Sequence, residues 1–168
     1  GDGAPLFLEN KRKYLDRVVK NRVRLCNAEQ WAACDSPHPW LVFGENIPAR
    51  GQYTVRDFDR LVRYRRRAPV SVVHYQREVW VDSYEPASRV RLTLDHHVST
   101  TAHPSMKDLY AAPTHRLLPA DWMVLELKYD GARPGWMQDL ARALRLRSGP
   151  VSKFGLSVAH TFRADHPN

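Results

Sequence analysis

Acidic and basic side chains recur two residues apart through much of this sequence, the spacing that places them together on one face of an extended strand. In Met123–Asp130, Val124, Glu126, Lys128 and Asp130 share a face, and Met123, Leu125, Leu127 and Tyr129 share the other. In Arg89–Val98, Arg89, Arg91, Thr93 and Asp95 fall on one side with Val90, Leu92 and Leu94 opposite. Asp16–Leu25 alternates Lys20, Arg22 and Arg24 with Val19, Asn21, Val23 and Leu25, while Leu6–Tyr14 gathers Glu9, Lys11 and Lys13 on one face. Val70–Asp82 adds Tyr75 and Arg77 beside Val73 and Val79. Guanidinium forks and ammonium point charges in rows are suited to gripping phosphate oxygens. A face of this kind either looks at water, as in any half-exposed antiparallel sheet, or lines a polar cavity. Its repetition in five segments favours the cavity.

The elements that would position these residues follow from the same patterns. The five segments read as strands of an α+β fold, an antiparallel β-barrel or tunnel with a polar, basic interior and an apolar exterior on which helices pack. Tyr14–Arg17 is short enough for a hairpin. Asn27 can cap a helix over Ala28–Ala33, ended by the two prolines of Asp35–Pro39. Thr54 and Asp57 resemble a capping box, opening a helix over Val55–Arg67 with Phe58, Leu61 and Val62 on its buried stripe. The tail of that helix, Arg63-Tyr64-Arg65-Arg66-Arg67, fits a solvated, cation-rich C-terminus, with polyanion contact as the alternative. Residues 70–82 and 88–98 read as an antiparallel pair. His96–Ala120, holding His96, His97, His103 and His115, reads as a loop without the i, i+4 histidine pair of a zinc enzyme. A helix is expected from Pro134 to Arg147, carrying Trp136, Met137, Leu140 and Leu144. After Ser152-Lys153-Phe154 a short apolar segment runs to Ala159. The expected organisation is one domain over residues 1–160 and a C-terminal tail over 161–168.

The whole chain, at 168 residues and 43% hydrophobic content, is long and apolar enough for a real core rather than disorder. Its formal net charge of +8 points to a polyanionic partner, and twenty of its 26 cationic residues are arginine. No apolar run reaches the length of a membrane span and no signal-peptide pattern opens the sequence. Cys26 and Cys34 have no second pair or histidine at zinc spacing, so they read as free thiols of a reducing compartment. Together these give a cytoplasmic expectation.

Seven short pieces, in order, resemble the VTC domain, the polyphosphate polymerase domain of the vacuolar transporter chaperone family within the CYTH or triphosphate-tunnel group. They are Phe7-Leu8-Glu9-Asn10-Lys11-Arg12-Lys13, Val19-Lys20-Asn21-Arg22, Tyr75-Gln76-Arg77, Val90-Arg91-Leu92-Thr93-Leu94-Asp95, Leu125-Glu126-Leu127-Lys128, Pro134-Gly135-Trp136 and Ser152-Lys153-Phe154. Each is weak alone; their order, from residue 7 to 154, carries the resemblance.

The resemblance implies an antiparallel tunnel in which the terminal phosphate of ATP passes to a growing polyphosphate chain, with Mn2+ or Mg2+ as the divalent cofactor. It implies phosphate contacts from Lys11, Lys20, Arg22, Arg77, Arg89, Arg91, Lys128 and Lys153, with Ser152 beside the phosphate chain. Glu126 would ligate the metal, and Glu126, Arg91, Arg77 and Lys128 would form the catalytic group. Glu9 and Asp95 are weaker candidates for a metal-site role and can equally pair with neighbouring arginines. Such chemistry asks for alignment and charge neutralisation rather than a covalent nucleophile. The family's domain ordinarily starts with a further strand, a helix and more strands, so the resemblance makes this chain N-terminally short. A tunnel open on that side, or completed by self-association or a partner chain, is the expectation. Asn10 stands where the family usually has an apolar residue, and should find a partner or an exposed edge. The rival readings are a non-catalytic polyphosphate- or nucleotide-binding accessory domain, a tunnel triphosphatase, and a nucleic-acid binder. The last is disfavoured, because no stacking platform or nucleic-acid motif accompanies the arginines.

Overall fold

The computed structural model describes residues 6–15, 17–25, 47–82 and 90–166. The chain divides into two compact units, Gly1–Ala68 and Pro69–Asn168, each considered by itself. Among the described residues the fold is α+β, with antiparallel sheets and helices. The expected helix over 28–33, both cysteines and Arg89 lie outside the described residues.

The first unit is a hairpin, β1 (Leu6–Tyr14) and β2 (Arg17–Leu25), with helix α1 (Ala49–Arg65) packed on one side. Strict pairing from Leu6↔Leu25 to Tyr14↔Arg17 keeps the two alternations in step. Leu8, Val23 and Leu25 therefore meet Ile47 and Val55 in a small core, with Leu6 and Phe58 at its margin. Gly51 allows the close approach: a Cβ there would lie 2.6 Å from Val23 Cγ2 and 2.7 Å from Ile47 Cγ2. The capping box expected at Thr54 is not formed, because α1 begins a turn and a half earlier. Thr54 and Asp57 instead lie within the helix and are buried against the hairpin. Asn10 donates to Asp57 Oδ2 (2.8 Å) and to the Thr54 carbonyl (3.2 Å), and Arg12 pairs with Asp57 Oδ1. The polar residue on the packing face thus has the partner that its burial demands.

The second unit is built on a four-stranded antiparallel sheet. β3 (Ser71–Val81) pairs β4 (Arg91–Ala102), whose other edge carries β5 (His115–Arg116) and β6 (Val124–Lys128). β4 runs to Ala102, four residues beyond the expected end, so His96 and His97 belong to a strand rather than a loop. The remaining connection holds a 3-10 turn, Met106–Tyr110, and β5. His74 pairs Ser99 while Gln76 pairs His96, leaving His97 and Val98 opposite Tyr75 in a β-bulge, with His97 at φ 51. Helix α2 (Gly135–Ala143) is shorter than expected, and α3 (Lys153–Asp165) runs well past both Ala159 and the expected start of a tail at 161.

The two faces of this sheet differ as the alternation requires. Trp80, Leu92, Leu94, Leu125 and Leu127 lie on one face by register. There Trp136 of α2 helps to line an apolar cavity of about 470 Å³ with Trp80, Leu92 and Leu94. The opposite face carries Arg77, Arg91, Thr93, Asp95, Glu126 and Lys128. Helices were expected on the apolar side alone, but α3 crosses the polar one: Ser157 Oγ meets Thr100 Oγ1 at 2.5 Å, and Thr100 shares a face with Asp95. The bulge explains this, since its extra residue turns Thr100 onto the side that plain alternation would deny it.

Candidate functional site

Three strands bring the chemistry together. The register sets Arg77 beside Asp95, Thr93 beside Glu126, and Arg91 beside Lys128, three consecutive rungs on the polar face. At the first rung Arg77 forks onto Asp95, with Nε donating to Oδ1 at 2.6 Å and Nη2 to Oδ2 at 2.8 Å. Lys153, the first residue of α3, closes on the same carboxylate with its Nζ. The Tyr75 ring lies against both cations, 5.0 Å from the Arg77 guanidinium carbon and 5.1 Å from Lys153 Nζ. At the second rung Glu126 accepts from Lys128 Nζ at 3.1 Å and stands 3.8 Å from Arg77 Nη2.

The two carboxylates are therefore not equivalent. Burial pushes the Asp95 carboxyl up, but hydrogen bonds and charge from Arg77 and Lys153 outweigh it and hold the group below its ordinary value. Its side chain is 0% exposed and both oxygens are taken. Asp95 locks the cations rather than offering a ligand. Glu126 is also held low, burial being outweighed by Lys128, Arg77 and Lys153. Its side chain is 37% exposed, so an incoming cation can reach it.

Beyond this pair the face is short of partners. The Arg91 Nε and Thr93 Oγ1 atoms are buried without a hydrogen bond. Arg91 and Lys128 line a cavity of about 800 Å³ with Asp82, Asp130 and Tyr129. Four cations, Arg77, Arg91, Lys128 and Lys153, thus stand near Asp95 and Glu126 on the sheet and Asp82 and Asp130 at the cavity's margin. A buried donor without a partner, on a face lined with cations, is what an anion would complete.

Family comparison agrees with this chemistry. The family model for the VTC domain matches residues 2–162, nearly the whole chain. The chain belongs to the VTC domain family. That membership relates it in general terms to polyphosphate. No curated protein matches it.

Within this VTC domain the anticipated residues fall into groups. Arg77, Arg91, Glu126, Lys128 and Lys153 converge on the sheet. Ser152 is the N-cap of α3, its Oγ accepting from the Gly155 amide at 3.0 Å, and so it sets the helix that delivers Lys153. Lys11, Lys20 and Arg22 lie on the exposed face of the first unit's hairpin, where Glu9 pairs Arg22 and Lys11 pairs Lys20 in the register. The Arg22 guanidinium covers the Phe7 ring at 4.6 Å. Among the described residues there is no cluster of three or more His, Cys, Asp or Glu arranged to hold a metal. No described helix is long and apolar enough to cross a membrane. Tyr75 was noted only as a neighbour of Arg77. Its place beneath two cations, one of them 78 positions away in the sequence, depends on α3 crossing the sheet.

Proposed function

We propose that this VTC domain binds the triphosphate of ATP on the polar face of β3, β4 and β6 and passes its terminal phosphoryl group to a polyphosphate chain. The observation that supports this most is the convergence of Arg77, Arg91, Lys128 and Lys153 around Glu126, with the buried Arg91 Nε still unpartnered. On this reading the face is one wall of the tunnel that the family resemblance implies. On the first unit, considered by itself, Lys11, Lys20 and Arg22 offer a separate row of phosphate contacts.

The transfer is an in-line displacement. A terminal oxygen of the polyphosphate attacks the γ-phosphorus, the bond to the β–γ bridging oxygen breaks, and ADP leaves with that electron pair. Arg91 and Lys128 hold the phosphate oxygens and draw off their charge; Arg77, fixed by Asp95, keeps its guanidinium edge toward Glu126. A hard dication of the Mg2+ or Mn2+ kind, bound mostly by phosphate oxygens and water, needs only one or two protein carboxylates. Glu126 suits that requirement and Asp95, already enclosed, does not. When bound, such an ion would neutralise charge on the transferring group.

The test is ATP turnover by the purified chain with manganese, resolving polyphosphate from free phosphate, with Glu126→Gln and Arg91→Ala alongside. The expected result is a polyphosphate ladder that both substitutions reduce by about 100-fold or more, as for other removed charge stabilisers. Free phosphate without a ladder, lost in the same variants, would replace transfer with triphosphate hydrolysis. Tight polyphosphate binding without turnover would make this a binding domain. Neither turnover nor binding would end the reading.

A further inference from the structure

The strongest concentration of charge along the sequence belongs to the first unit and includes none of the sheet residues of the second. Residues 49–67, helix α1 and its exit, hold seven arginines against two aspartates, a balance of +5 in a chain of +8. Both aspartates are already engaged. Asp57 is buried beneath the helix with Asn10 and Arg12, and Arg60 reaches its edge at 3.1 Å. Asp59 is matched by Arg63 at 2.8 Å.

The packing fixes where the arginines point. Gly51, Thr54, Val55 and Asp57 are buried, and the Gly51 contact leaves the helix no freedom to rotate. Arg56, Arg60 and Arg63, at spacings of four and three, are neighbours on one exposed stripe. Tyr53 and Tyr64 are exposed at its two ends. The chain leaves α1 through Arg66 at φ 46, with the Arg67 amide on the Leu61 carbonyl, so the run of cations continues past the last turn. Arg66 and Arg67 are exposed there; Arg65, nine residues from Arg56, is exposed on the other side of the helix. The helix dipole accounts for a cation or two in the final turn. It does not account for a stripe that starts about two turns earlier.

We propose that this outer face of α1, from Arg56 to Arg67, docks inorganic polyphosphate through residues that take no part in the sheet site. The proposal rests on the reading that the domain handles polyphosphate. At about 1.5 Å per residue the stripe is roughly 16 Å long, so it suits a linear polyanion with closely spaced charges rather than a single phosphate. Single-stranded nucleic acid fits less well, because Tyr53 and Tyr64 are too far apart to stack successive bases. A membrane surface fits less well too, since no apolar row accompanies the cations.

The experiment compares binding of long-chain polyphosphate and of tripolyphosphate to the wild-type chain, to Arg91→Gln, and to the triple variant Arg60→Gln/Arg63→Gln/Arg67→Gln. Asp57 keeps Asn10 and Arg12 in the triple variant, so its thermal unfolding should match the wild type. The expected outcome is at least a tenfold loss for long chains with tripolyphosphate binding unchanged; Arg91→Gln should weaken tripolyphosphate. A wild-type preference for long chains that survives in the triple variant would overturn the proposal. So would tighter binding of the stripe to RNA of equal charge, or to anionic lipid vesicles. If the triple variant unfolds early, Arg60→Lys/Arg63→Lys/Arg67→Lys decides: retained long-chain affinity supports the electrostatic stripe, and long-chain polyphosphate that binds the wild type no better than tripolyphosphate overturns it. Failure of tripolyphosphate to bind any variant would count against the sheet site, while the long-chain comparison still judges the stripe.

Discussion

Asp95 and Glu126 sit one rung apart, yet they do opposite things. Asp95 is sealed between Arg77 and Lys153 and so stores order; Glu126 is only half covered and so can exchange partners. Removing the Asp95 charge leaves two cations facing each other, and Asp95→Asn should cost about 3 kcal/mol, read as a lower midpoint in urea. Because the Asp95 value is depressed in the folded state, its contribution is complete above the unfolded carboxyl value of 3.8 and disappears as pH falls through the lower folded value. The gap between wild type and Asp95→Asn should therefore be full at neutral pH and narrow in strong acid; a gap that stays constant would contradict the role. Period-two alternation made Arg77, Arg91, Glu126 and Lys128 legible as one face, because pleating alone decides it. Asp57 was legible only as a helix cap, since its true partner Asn10 is 47 positions away and joins it through tertiary packing.

Helices were read less well than strands, for a reason visible in α3. It buries Ser157, which meets Thr100, and Thr161, while Phe154, Leu156 and Phe162 are exposed. A search for apolar periodicity finds the wrong side of such a helix, or finds none. The bulge at His97 hides information in the same way, since one added residue exchanges the faces of everything beyond it. In α1 the start was missed because Thr54 offers a plausible cap, whereas Gly51, unfavourable inside a helix, marks the contact with β2. Gly51→Ala tests that contact. The gain in helix propensity is about 1 kcal/mol, but the added methyl would sit 2.6 Å from a buried valine branch. Net destabilisation of about 1–3 kcal/mol should appear in thermal or urea unfolding. A variant more stable than wild type would show that the helix can retreat from the hairpin.

Across the molecule, charge is distributed more unevenly than composition suggests. More than half of the net charge comes from one helix and its exit. Polyphosphate binding should then be steeply salt-dependent, weakening about 100-fold or more between 50 and 200 mM salt if five cations release counterions. A shallow dependence in titrations at several salt concentrations would mean that few of those arginines are engaged. The family was legible from seven short pieces whose order mattered more than any one of them, and it holds over residues 2–162. The division at Ala68 was not legible. Alternation reveals which side of each strand is polar, but not which strands share a sheet.

The buried contact of Asn10 and Arg12 with Asp57 also bears on how the first unit avoids misfolding. A one-residue slip of β1 would turn Asn10 and Arg12 away from the helix and present Glu9 and Lys11 in their place. Asp57 would then be shut in beside another carboxylate, with its nearest cation displaced. Wrongly zipped hairpins would be unable to accept α1 at all, so the helix proofreads the strands at the moment it docks.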